Sequence, residues 1–148
     1  MPRIQDSLVL ILAAGMTSAG CQSKDEVARV TAPTGDVDGV VVETNGGATS
    51  SFGYDIHVLE RGRAVASSSR VAFLYGAVRS ESAYGVNLRW DSASTLSIEY
   101  WAAKSAELSS PSLPVGARLV TVVLKPGVRD ESAPPGGMLF NLRIPRKR

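Results

Sequence analysis

In the stretch Gly85-Val86-Asn87-Leu88-Arg89-Trp90-Asp91-Ser92-Ala93-Ser94-Thr95-Leu96-Ser97-Ile98-Glu99-Tyr100, apolar and polar residues alternate on both sides of a short polar break. A period of two is the signature of a strand whose side chains point to opposite faces of a sheet. Val86, Leu88 and Trp90 share one face, and Asn87 and Arg89 the other; Leu96, Ile98 and Tyr100 likewise oppose Ser97 and Glu99. The stretch therefore reads as a hairpin with one wet face, with Arg89 and Glu99 as cross-strand partners.

Outward from this hairpin the same pattern recurs. Val40-Val41-Val42-Glu43-Thr44 is β-branched, and Tyr54-Asp55-Ile56-His57-Val58-Leu59 alternates. The two are expected to pair across the long small-residue loop from Asn45 to Gly53. Val71–Tyr75 and Arg118–Leu124 read as more interior strands, and Met138–Leu142 as a last one. Turn residues punctuate the set at Arg61-Gly62, Lys125-Pro126-Gly127 and Pro134-Pro135-Gly136-Gly137. Only 101–108 has helical composition, and Pro111 soon ends it. The expected fold is all-β, a single antiparallel sandwich or strongly curved sheet with at most one short helix near residues 101–108.

The N-terminus carries a different signal. Leu8–Met16 is an apolar run too short to span a bilayer, and it leads through Thr17-Ser18-Ala19-Gly20 to Cys21, the chain's one cysteine. These residues resemble the lipobox of bacterial prolipoproteins, although Ser18 stands where that family usually has Leu. The resemblance implies cleavage after Gly20 and diacylation of the Cys21 sulfur. A further amide-linked acyl chain would exceed the two-signal requirement for stable anchoring. Gln22 after the cysteine implies the outer membrane rather than the inner one under that family's sorting rule. The chain then divides into a signal peptide (1–20), a lipidated cysteine with a short polar tether (21–25) and one β-rich domain (26–148) with a basic tail. The body also resembles short uncharacterised bacterial lipoproteins over 42–49, 51–54, 84–90 and 133–138; that likeness implies no activity.

A lone cysteine forms no disulfide within the chain, so the core must hold the fold. Sixteen Lys and Arg against fourteen Asp and Glu give a net charge of +2, which is no footprint for nucleic acid. The one basic cluster, Arg143-Ile144-Pro145-Arg146-Lys147-Arg148, reads as a solvated tail or as a contact for anionic headgroups or another envelope polyanion.

Catalytic sets are thin. His57 is the single histidine; period-two spacing places Asp55 beside it, with Glu43 expected across the hairpin and Ser50 or Ser51 as nearby hydroxyls. No Gly-x-Ser-x-Gly elbow accompanies them, so a histidine on the polar face of a strand is the simpler reading. One histidine and one cysteine exclude the usual zinc sets. Asp36-Val37-Asp38-Gly39 has Val40 where a calcium loop needs its next oxygen ligand. No cofactor or metal is expected. The loop Thr49-Ser50-Ser51-Phe52, small and polar around one aromatic, is the candidate binding site. Two functions follow: a lipid-anchored envelope module that binds a protein or polymer, or a hydrolase using carboxylates among Asp36, Asp38, Glu43 and Asp55.

Overall fold

The structure, a computed structural model, describes residues 22–134 and 136–143. Cys21 and the apolar run before it lie outside the described residues. The chain begins with a meander: β1 (Ser23–Thr31), β2 (Val37–Asn45), β3 (Gly53–Glu60) and β4 (Arg70–Tyr75) pair antiparallel in sequence order. Two short strands, β5 (Arg79–Ser80) and β6 (Ala83–Tyr84), pair with each other. Next come β7 (Asn87–Trp90) and β8 (Thr95–Tyr100), then β9 (Ser105–Leu108), β10 (Ser112–Val115) and β11 (Arg118–Pro126), and last the helix α1 (Met138–Arg143). Strand β9 adds to β4, giving a five-stranded sheet ordered β1-β2-β3-β4-β9; the second sheet is ordered β10-β11-β8-β7.

The all-β expectation is met, and one core lies between the two sheets. Residues of odd number in β2, with Ile56 and Val58 of β3, turn towards Leu88, Leu96 and Ile98. The approach is tight at Gly39, where a Cβ atom would lie 3.1 Å from Leu96 Cδ2 and 3.2 Å from Leu88 Cδ1. Glycine is required here by the neighbouring sheet rather than by its own backbone. Trp90 closes one side of the core, its indole N–H donating to the Val30 carbonyl at 3.0 Å. Val120 and Val122 of β11 point inward, while Leu119 on the alternate face is 64% exposed.

The β7–β8 hairpin forms with the expected facing residues, and Arg89 Nε reaches Glu99 Oε1 at 2.8 Å from a diagonal position, since Arg89 lies directly opposite Ser97. Four details differ from the sequence reading. Residues 105–108 form an edge strand against β4 instead of a helix, anchored by Lys104 N–H to Tyr75 O and Ser109 N–H to Val71 O. Met138–Leu142, expected as a strand, lies in α1, where Asn141 N–H closes onto Gly137 O and only Met138 is fully buried. Strand β8 pairs parallel with β11, because the chain visits both sheets, through β9 and β10, before returning. Pairing also starts earlier than the expected tether allows: Ser23, Lys24 and Asp25 lie opposite Asn45, Thr44 and Glu43. Further along β1 the register shifts between Glu26 and Ala28, bulging Val27 into the core.

Candidate functional site

The outer face of the five-stranded sheet is the surface on which polar side chains converge. Register places Lys24, Arg29, Asp38, Val40, Val42, Thr44, Asp55 and His57 there, together with Arg70, Phe73 and Tyr75 of β4. Half of this face is covered. Residues 61–69 run across it, with Gly62 N–H donating to Asp38 Oδ2 at 2.9 Å and Arg29 Nη2 donating to the Arg63 carbonyl at 3.3 Å. This strap explains why Val40, on the face away from the core, is nevertheless fully buried.

Asp38 is the pin beneath the strap. It is 1% exposed and accepts from Arg29 Nη1 at 2.8 Å and from the Thr31 hydroxyl at 2.7 Å, besides Gly62. Burial pushes its carboxyl upward, but the Gly62 amide, the Arg29 guanidinium and the Thr31 hydroxyl together outweigh it and hold the pKa below the ordinary range.

His57 sits under the same strap, 5% exposed, with its Nδ1 3.0 Å from Ser69 Oγ. The Ser69 hydroxyl spends its one proton on the Ala66 carbonyl at 2.7 Å, so the imidazole N–H is the donor to Ser69. That polarity is the reverse of a histidine activating a serine. Glu43 does not orient the imidazole as the sequence spacing suggested. It lies opposite Tyr54 on the inner face, whereas Asp55 and His57 lie opposite Val42 and Val40 on the outer one. Burial lowers the His57 pKa; Asp55 and the Ala66 backbone act to raise it, Arg70 and Lys24 to lower it further.

A pH dependence follows. An imidazole with a depressed folded pKa is neutral in the fold and protonates first in the unfolded chain. Stability is therefore complete above about pH 6.5 and falls as pH drops below that value, at no more than about 1.4 kcal/mol per pH unit for one proton. Denaturant midpoints from pH 7.5 to 5 are expected to decline in the wild type and to flatten in His57→Gln. Equal slopes in the two proteins would remove His57 as the cause.

Where the strap ends, the outer face opens into a groove. A hollow of about 290 Å³ is lined by Thr44, Ser50, Ser51, Gly53, Phe73 and Tyr75. It adjoins a second of about 360 Å³, lined by Val42, His57 and Val65–Ser67. The two share Lys24, Asp55 and Arg70. Arg70 Nη1 donates to Asp55 Oδ1 at 3.1 Å. The Phe73 ring lies over Gly53, whose absent Cβ would stand 3.0 Å from the ring edge. Loop residues are fixed around it: Ser51 N–H donates to the Tyr75 hydroxyl at 3.0 Å, and Lys104 Nζ donates to Ser51 Oγ at 2.7 Å.

The candidate loop is thus divided. Ser50 and Ser51 line the groove, and Thr49 lies in the turn before them. Phe52 turns instead to the other side of the sheet, packs against the core and stacks under the Arg79 guanidinium, 3.6 Å from the ring centroid. There it borders a cleft of about 290 Å³ with Ser23, Glu43, Leu139, Phe140 and Arg143. Glu43 is 3% exposed; its Oε2 lies 3.8 Å from Arg79 Nη1, and neither atom nor the buried Tyr54 hydroxyl has a well-formed hydrogen bond. Burial and the Glu43 charge push the Tyr54 hydroxyl up, against Arg79.

The three other candidate carboxylates are each held by a cation: Asp36 by Arg118, Asp38 by Arg29 and Asp55 by Arg70. Among the described residues no group of three or more His, Cys, Asp or Glu is placed to hold a metal ion, and no helix is long and apolar enough to cross a membrane. No family model, curated protein or solved structure matches this chain. Lys24, Arg70, Phe73 and Tyr75 were not legible as site residues in the sequence. Their only signal is parity along strands whose pairing the sequence does not specify.

Proposed function

We propose that the chain is a lipid-anchored bacterial envelope protein whose β domain binds an envelope polymer in the groove on the outer face of the five-stranded sheet. The observation that carries this reading is the junction of two hollows across Lys24, Asp55 and Arg70, with a flat aromatic at Phe73 and hydroxyls at Ser50, Ser51 and Thr44. An open groove of this kind suits an extended ligand, which is gripped by ring faces and side-chain hydrogen bonds rather than enclosed. The anchor rests on the lipobox-like residues before Cys21. What weighs against a hydrolase is electrostatic. A carboxylate pair needs one member raised to act as an acid, whereas Asp36 and Asp38 are held low, and Glu43 lies on the opposite side of the sheet from Asp38 and Asp55.

Two measurements test the reading. Intact mass and membrane fractionation of the wild type beside Cys21→Ala are expected to show an acyl-sized increment on a chain starting at Cys21, and release in the variant. An unmodified wild type removes the anchor. Co-sedimentation with isolated cell-wall polymer is expected to weaken about tenfold in Arg70→Ala/Phe73→Ala, since central aromatic and Arg contacts dominate such surfaces. Unchanged retention with intact folding overturns the groove as the site.

A further inference from the structure

A buried charge at the corner where β1, β2 and α1 meet has too few partners. Glu43 is 3% exposed and lines the cleft of about 290 Å³ there, yet its Oε2 accepts no hydrogen bond. Arg79 Nη1, 3.8 Å away, is too distant to donate one and is itself buried without an acceptor. The Tyr54 hydroxyl, close to both, has no well-formed hydrogen bond either. Asp25 is the residue directly opposite Glu43 on β1, so two carboxylates meet across the ladder, an arrangement that calls for a cation. Arg79 is held where it stands. Its guanidinium is stacked over Phe52, 3.6 Å from the ring centroid, and a Cβ at Gly137 would collide with its Nη1. Buried polar groups are paired as a rule, and an orphaned set beside an open cleft marks the place of a further polar group.

We propose that this cleft binds a small zwitterion, an apolar α-amino acid, whose ammonium donates to Glu43 and whose carboxylate accepts from Arg79. The four charges then alternate in sign, and the buried carboxylate and the guanidinium each gain a charge-assisted hydrogen bond. Leu139 packs against the core beside them and Phe140 is exposed at the rim, so the wall of the cleft is apolar where the ligand's side chain would lie. A hollow of about 290 Å³ stands at the small end of ligand sites and suits a single metabolite rather than a polymer. A divalent ion fits less well, because a guanidinium stands 3.8 Å from the carboxylate and among the described residues no three ligating side chains converge. Glu43 faces away from the groove across Asp55 and Arg70, and the inference rests neither on that groove nor on the anchor.

The test titrates the isotope-labelled full chain with alanine, leucine and phenylalanine, following the amide resonances of Ser23, Asn45 and Gly137. These are expected to shift. The tightest binder of the three is then compared with its carboxamide, which keeps the ammonium, and with its deaminated acid, which keeps the carboxylate. Each analogue is expected to bind about tenfold more weakly, having lost one charge-assisted contact. In Glu43→Gln the amino acid should weaken to the level of the deaminated acid, whose own affinity stays the same; a merely structural role for Glu43 would weaken both. Arg79→Gln should equalise the amino acid and its carboxamide in the same way. Should either variant fail to fold, the wild-type series decides alone. Resonances unmoved by all three amino acids at millimolar concentration would mean that the cleft holds solvent only, and overturn the proposal. So would an analogue that binds as tightly as the amino acid itself.

Discussion

Leu96→Ala is expected to destabilise the domain by about 3 kcal/mol, within the range found when a buried leucine is truncated and its neighbours cannot close the space. Leu96 is fully buried between the two sheets, against Gly39. The companion substitution Gly39→Ala is expected to cost about 1–3 kcal/mol for the opposite reason, since its methyl would enter at 3.1 Å from Leu96 Cδ2. Together the two should cost less than their sum, because the alanine methyl at 39 occupies part of the space that Leu96 leaves. Urea denaturation of the four proteins measures this coupling; additivity within about 0.5 kcal/mol would falsify the direct inter-sheet contact.

Asp38→Ala is the second large loss, at about 3 kcal/mol near neutral pH. It strips a buried carboxylate from three donors at once, leaving the Gly62 amide and the Thr31 hydroxyl without their acceptor. Arg29 is partly solvated and keeps its bond to Glu26, which limits the penalty on that side. The sign with pH is set by the depressed carboxyl. Its stabilisation is complete above the ordinary aspartate value near 4 and is lost as pH falls through the lower folded value, so wild type and variant converge in acid. The strap should loosen before the fold does. Trypsin is expected to cut after Arg61 or Arg63 faster in Asp38→Ala, and an unchanged cleavage rate would mean that Asp38 does not hold the strap.

The elements that the sequence made legible are those in which local pattern and tertiary environment agree. The alternation of 86–90 and 95–100 serves a sheet with one core face, and the hairpin forms with the facing residues expected. Val40-Val41-Val42 reads as a strand, but the reason for its unbroken apolar run lies in a strap folded over the second face. Residues 105–108 carry helix-favouring Ala and Glu, yet four residues gain little from helical propensity and more from pairing with the open edge of β4. At 138–142 an apolar run suggested a strand, but Met138 and Leu139 are the residues that meet the core, and one helical turn suffices to place them. Of the candidate site, Ser50 and Ser51 were legible as a loop signal. Phe52, adjacent to Ser50 and Ser51 in sequence, is parted from them in space because the loop crosses from one face of the sheet to the other.

The margins of the two sheets bear on a different property, resistance to polymerisation. An unpaired strand edge is a template on which another copy can continue the ladder. Among the described residues the four margins are β1, β9, β10 and β7, and each is blunted in its own way. Strand β1 is bulged at Val27 and carries Lys24, Asp25, Glu26 and Arg29. Strands β9 and β7 are only four residues long and bear Glu107 and Arg89. Strand β10 includes Pro114, which has no amide hydrogen to offer. At high local density a protein meets its own copies, and the described residues present them with no long, flat, uncharged edge on which a fibril can nucleate.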